Sequence, residues 1–215
     1  VTMASPAACR LLQHGLAKPL VFVVSLIPFG YYVWAAFANA LGPNPAEALL
    51  RGTGDWTLRF LCITLAITPL RQLTGVGQFL RFRRMLGLYA FFYAVVHVLC
   101  YAGFDMSFDV ADIIKDIPKR PFILVGFLAV VLMTPLAATS FNRAVRAMGA
   151  ARWQLLHRLV YPIIGLGLLH FWWMRAGKSN FAEPSVYIAI VAVLMLWRIV
   201  HRFRKPAVAV KAPGR

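Results

Sequence analysis

Stretches of about 20 residues with no charge, or only a histidine, recur along this sequence, and an α-helix of that length crosses roughly 30 Å of hydrocarbon. Residues 19–41, 85–104 and 121–141 are free of Asp, Glu, Lys and Arg throughout, and 153–174 is broken only by Arg158 and two histidines. Two further segments, 56–74 and 184–203, are shorter in apolar length and carry arginines toward their ends. They span only if those side chains snorkel to the interfaces. Hydrophobic residues make up 60% of the chain and charged ones 14%, which excludes a soluble domain. Six spans with short loops would occupy nearly all 215 residues, so no soluble catalytic domain is expected.

The charge is lopsided: 23 Lys and Arg face 7 Asp and Glu, a net charge of +16. A basic chain of this size usually binds nucleic acid, but such chains are dense in charge, and no nucleic-acid partner is expected here. Topology accounts for the excess instead. With six spans and the N-terminus inside, inner segments collect 16 of the 23 bases and no acid, while outer segments hold seven bases and all seven acids. Dropping either weak span scrambles that sorting, so the positive-inside rule supports both. The expected fold is all-α: a six-transmembrane-helix bundle, multi-pass, with both termini cytoplasmic and a basic inner face that attracts anionic lipid. The outer loop 105–120 has room for a short surface helix, and residues 206–215 read as a disordered basic tail. No removed signal peptide is expected in the first 18 residues. Cys9, Cys62 and Cys100 form no CxxC or CxxCH motif.

An ionisable residue within the bilayer is a functional candidate by default. His97 lies 12 residues past Met85 and His170 lies 13 past His157, on spans running the same way, so the two sit at matched depth in the outer half. Two facing imidazoles make an axial pair for a haem iron. The plainer alternative is that each histidine bonds a carbonyl or hydroxyl between helices. Zinc is disfavoured because the spans offer no acid and no Cys–His cluster. Gly87, Ala90, Ala94, Gly165 and Gly167 are candidates for the clearance a planar group needs. His157, about 20 Å of helix below His170, would suit a second haem in the inner leaflet. The residue on the third span placed to partner it is Arg83, suited to pair a haem propionate and poor as an iron ligand. On a straight helix His157 and His170 would not share a face, and Pro162 between them is the expected source of a phase shift. His14 and His201 read as surface residues. Arg71, Arg81, Arg83 and Arg84 read as inner-face anchors able to hold an anionic cofactor such as a flavin phosphate. Thr139 and Ser140 read as a cap for the helix that follows.

Four stretches in order, GDWTLRFLCITLAITPLR, RRMLGLYAFFYAVVH, LMTPLAATS and RWQLLHRLVYPIIGLGLLHFWW, resemble the haem-binding membrane subunits of the periplasmic methionine sulfoxide reductase system (the MsrQ/YedZ family) within the ferric-reductase-like transmembrane group. The resemblance implies a b-type cytochrome of the bacterial inner membrane. It further implies electron delivery to a periplasmic molybdopterin-containing reductase subunit that repairs oxidised periplasmic proteins, making this chain an electron-transfer subunit rather than the catalytic one. Heme b, one or two, and FMN are the implied cofactors; the quinone pool or a cytosolic flavin reductase is the implied donor. Carried over by position, His97 and His170 match the outer haem pair and His157 the inner ligand. Ferric reductases and NADPH oxidases have a second histidine where this chain has Arg83. Those relatives also carry a cytosolic FAD and nicotinamide domain, so a separate donor molecule is expected here. Two rival functions remain open at this point: a transmembrane ferric-chelate reductase, and a non-redox scaffold or transporter with structural histidines.

Overall fold

The computed structural model describes residues 12–177 and 179–203; the expected disordered tail at 206–215, with Cys9, Arg10, Lys178 and the bases beyond Phe203, lies outside them. Nine helices are named here: α1 (Ala17–Phe37), α2 (Pro45–Thr74), α3 (Leu80–Cys100), α4 (Val110–Lys119), α5 (Pro121–Ala138), α6 (Asn142–Met148), α7 (Ala150–Leu156), α8 (Val160–Ala176) and α9 (Ala182–Phe203). There is no strand among the described residues. Among the described residues, five helical stretches are long and apolar enough to cross a membrane: α1, α3 with its flanking turns, α5, the α7–α8 run and α9.

The helix α2 is the exception, and its sequence shows why it forms. Asn44 caps it by accepting from the Glu47 N–H at 3.2 Å, and Pro45 sits at the first position, where its missing N–H costs nothing. Gly75, at φ +72°, closes the far end in the left-handed conformation, its N–H bonded to the Arg71 carbonyl. Thirty residues give a rise of about 45 Å, long enough to span, but Glu47, Arg51, Asp55 and Arg59 dilute its apolar character. It is also the most buried helix, contributing Leu58, Phe60, Leu61, Leu65 and Ile67 to the core. A helix enclosed by other helices faces little lipid and does not need a hydrophobic surface all round.

The bundle rests on two closely packed pairs, α2 along α3 and α5 along α8. In the first, Phe60 stacks on Tyr93 with ring centres 5.3 Å apart, and on Tyr89 at 5.5 Å. Side chains also tie the helix ends. At one end Arg81 donates to the Leu12 carbonyl (2.7 Å), Trp197 to Gln72 (3.0 Å) and Arg84 to Asn142 (2.6 Å). At the other, Arg175 pairs with Glu183 and Arg59 donates to Tyr187 at 3.1 Å. All seven acids gather at this second, mixed-charge end; the first is basic. The loop 105–120 forms α4 there, its N-terminus capped by Asp109.

One local expectation is corrected and one made specific. Thr139 and Ser140 do not cap α6: their hydroxyls turn back to the carbonyls of Pro135 (2.7 Å) and Leu136 (2.6 Å), closing α5 instead. Pro162 lies in the first turn of α8, and the phase shift sits just before it, in a 3₁₀ turn at His157–Leu159. Proline cannot donate to the Arg158 carbonyl and crowds it, so the preceding turn tightens.

Candidate functional site

The two helix pairs bring His97, on α3, and His170, on α8, to one cavity of about 380 Å³ near the mixed-charge end. Their ring centres are 6.1 Å apart and their planes cross at 81°. Each ring is held by a carbonyl from the partner helix of its own pair: His97 Nδ1 lies 2.8 Å from the Leu50 oxygen on α2, and His170 Nδ1 lies 2.6 Å from the Phe122 oxygen on α5. A carbonyl only accepts, so each Nδ1 carries the proton and each Nε2 keeps its lone pair. This is the second-sphere arrangement that metal-binding imidazoles use.

Among the described residues no three His, Cys, Asp or Glu side chains converge as a metal cluster, so the donor set on this cavity is the two imidazoles. Two imidazoles and an otherwise apolar wall (Leu58, Leu61, Ala94, Ala129, Val130 and Met133) would suit a planar, largely apolar metal-bearing macrocycle. The mouth is mixed in charge, with Glu47, Arg51, Asp55, Asp105 and Arg120 on its rim.

A second cavity, of about 560 Å³, opens toward the basic end. Arg71, Arg83, Arg84, Arg158 and His157 line it, with no acid among its lining residues. His157 stacks on Trp153 with ring centres 3.8 Å apart, and its Nδ1 lies 3.0 Å from the Trp153 carbonyl. Its Nε2 is buried without a hydrogen-bond partner, as is Thr64 Oγ1 on the same wall. Arg83 has no hydrogen-bonded or carboxylate partner among the described residues, whereas Arg84 is engaged with Asn142 and the face of Trp153. Orphaned polar atoms on a cationic cavity fit an anionic ligand that also offers a partner to His157 Nε2.

The 3₁₀ turn helps His157 reach this wall. Thirteen α-helical steps leave His157 and His170 roughly 140° apart, and three 3₁₀ steps at about 120° each cut this to roughly 80°. The two cavities share one wall of Leu61, Met133 and Ile163, all buried. Thus the structure brings His97 and His170 together, sets His157 and Arg83 on the other cavity, and leaves His14 exposed and His201 stacked on Trp197.

Of the expected clearance residues, Ala94 and Gly167 line the first cavity and Gly87 the second, Ala90 is fully buried in the core, and Gly165 faces open space. The close approaches to the two histidines fall instead at Gly54 and Gly126, which sequence reasoning missed. A Cβ at Gly126 would lie 2.7 Å from His170 Nδ1, and one at Gly54 would lie 3.1 Å from His97 Nδ1. The only signal in the sequence was a glycine inside an otherwise helical run, which usually has a packing reason.

Comparison with known proteins gives a consistent result. Residues 53–168 match the family described as ferric reductase like transmembrane component. The protein-methionine-sulfoxide reductase heme-binding subunit MsrQ of Polaromonas naphthalenivorans (strain CJ2) is 66% identical over 194 residues, covering 90% of this chain and 89% of the relative. The subunit of the same name from Herminiimonas arsenicoxydans is 53% identical over 193 residues, covering 90% and 88%. That of Bordetella parapertussis is 46% identical over 206 residues, covering 96% and 98%. No solved structure matches the chain.

Proposed function

Because the chain belongs to the ferric-reductase-like transmembrane family and, within it, to the MsrQ heme-binding subunits, we propose that it is a b-type cytochrome carrying electrons across the bacterial inner membrane to a periplasmic molybdopterin-containing methionine sulfoxide reductase subunit. The observation that carries this reading is the His97–His170 pair, two Nδ1-protonated imidazoles with free Nε2 atoms on one apolar cavity. A haem there supplies one-electron chemistry at its iron. The chain's own residues bind and orient it: His97 and His170 hold the iron, the carbonyls of Leu50 and Phe122 fix the rings, and the apolar wall excludes water.

In this reading α2 is the sixth span, both termini are cytoplasmic, and the basic end faces the cytoplasm. The cavity at that end holds a second haem or FMN, with His157 Nε2 as a metal ligand or hydrogen-bond partner and Arg83 pairing a propionate or phosphate. The quinone pool or a cytosolic flavin reductase is the donor. The mixed-charge rim and α4 form the docking face for the periplasmic subunit, a charge pattern suited to a transient contact.

The test is an optical spectrum of purified protein after haem-replete expression. Reduced-minus-oxidised b-type bands are expected in the wild type and their loss in His97→Ala and His170→Ala; a colourless wild type, or unchanged haem in both variants, overturns the reading. The family match also supports a second acceptor class, ferric chelates. With a reduced donor supplied, reduction of ferric chelates without reduction of the molybdopterin subunit would favour that alternative.

A further inference from the structure

We propose that Gly54 and Gly126 are positioning residues: each omits the side-chain carbon that would hold an imidazole off a backbone carbonyl, and so locks His97 and His170 as Nδ1–H tautomers with Nε2 free for the cavity they share. The proposal rests on the haem reading only in what the Nε2 atoms bind.

The two histidines are held by the same device. In the α2–α3 pair, His97 bonds the carbonyl of Leu50, and the glycine is four residues later, at 54. In the α5–α8 pair, His170 bonds the carbonyl of Phe122, and the glycine is again four residues later, at 126. The spacing has a geometric cause. In an α-helix the carbonyl of residue i points at the N–H of residue i+4, so the side chain at i+4 stands beside the oxygen's second lone pair. A ring lying over residue i+4 meets that lone pair directly where the position is bare, whereas a slimmer hydroxyl can reach past a side chain, as Tyr89 does to the Phe22 carbonyl beside Leu26. With glycine there, one oxygen serves both the helix ladder and the imidazole.

The clearances rank the two sites. At Gly126 a Cβ would lie 2.7 Å from His170 Nδ1, 3.0 Å from Cε1 and 3.1 Å from Cγ, so the ring must move. At Gly54 a Cβ would lie 3.1 Å from both Nδ1 and Cε1 of His97, so the ring must give by a few tenths of an ångström. Gly165, on α8 between the two histidines, has nothing within 4 Å of the same added atom. Glycine inside a helix costs roughly 0.5–1 kcal/mol relative to alanine, so each site accepts that local cost for access to its carbonyl.

The bond would bear on a metal held at Nε2. An imidazole donating Nδ1–H to a carbonyl is a more basic ligand and favours the oxidised iron. Weakening it raises the midpoint potential; rotating the ring alters the low-spin ferric spectrum.

The experiment compares full-length wild type with Gly54→Ala, Gly126→Ala and the control Gly165→Ala in two measurements. Histidine-selective ¹⁵N spectra read the tautomers whether or not haem is bound. Two locked Nδ1–H rings are expected in the wild type and control, with one ring of mixed tautomer in each of the other variants. Redox titration with low-temperature electron paramagnetic resonance should show a raised midpoint and shifted ferric signal, larger in Gly126→Ala than in Gly54→Ala and absent in the control. Wild-type tautomers and potentials in both glycine variants would overturn the clamp while leaving the cytochrome reading intact. A wild type without haem would overturn the cytochrome reading while the nitrogen spectra still decide the clamp. If Gly126→Ala does not fold, the milder Gly54→Ala decides it by the same criteria.

Discussion

The hydroxyl of Tyr93 is inserted into the backbone of α1 beside Phe29: it accepts from the Phe29 N–H at 3.1 Å and donates to the Ser25 carbonyl at 2.8 Å. Ser25 and Phe29 are an i, i+4 pair beside Pro28, bridged by a fully buried phenol from α3. Tyr93→Phe removes the hydroxyl that bonds the Phe29 N–H and the Ser25 carbonyl. It should destabilise the protein by about 1–3 kcal/mol, read as a lowered midpoint of thermal unfolding in detergent with little change at the histidine pair.

Arg83 and His157 both line the basic-end cavity. Arg83→Ala should remove the second redox step, or the bound flavin, while leaving the signal assigned to His97 and His170. Arg83→Lys keeps the charge but not the two-pronged geometry and should retain part of it. Redox titration of each purified variant checks this; a second step unchanged in Arg83→Ala shows that the arginine is not needed.

The wall shared by the cavities is thin, and Ile163 is its most buried member, 1% exposed. Ile163→Ala should cost about 2–5 kcal/mol and join the two spaces. Thermal unfolding reports the cost. Water entry should broaden the optical bands of the reduced protein, whereas the conservative Ile163→Val should do neither.

At the mixed-charge end, Asp116 accepts from Arg120 Nε at 2.9 Å and from the Tyr101 hydroxyl at 2.6 Å. The Arg120 hydrogen bond, reinforced by those of Tyr101 and by the charges of Arg120 and Lys119, holds the Asp116 carboxyl below its ordinary range. A lowered carboxylate stabilises the fold at pH above its unfolded value, and that contribution is lost as pH falls through the lower, folded value. Amide hydrogen exchange in α4 should therefore be pH-independent, after correction for intrinsic rates, near neutrality and rise below the normal carboxylate range. Asp116→Asn should abolish the transition.

If the basic end is cytoplasmic, a fluorescent protein fused beyond Phe203 should mature and alkaline phosphatase fused there should stay inactive. The same reporters inserted in the segment between α1 and α2 should give the opposite result.

Much of this protein was legible in its residues. The apolar runs at α1, α3, α5 and α8 announce membrane helices because hydrocarbon leaves no other way to satisfy a backbone. The matched depth of His97 and His170 follows from counting along parallel helices. The helix α2 was harder to read, because an enclosed helix is freed from the composition rule that marks lipid-facing ones. What sequence could not supply were contacts made by backbone atoms. The carbonyls of Leu50 and Phe122 have no residue type to betray them, and Gly54 and Gly126 matter only for what they leave out. Likewise Pro162 marked a disturbance in the α7–α8 run, but the 3₁₀ turn at His157 appears only once the chain has folded. Local sequence thus set the helices and the residues that carry their chemistry, since hydrophobicity and periodicity act along the chain. Tertiary structure alone decided which carbonyl each imidazole meets and how closely, because that depends on how two helix pairs pack across a gap that no single segment encodes.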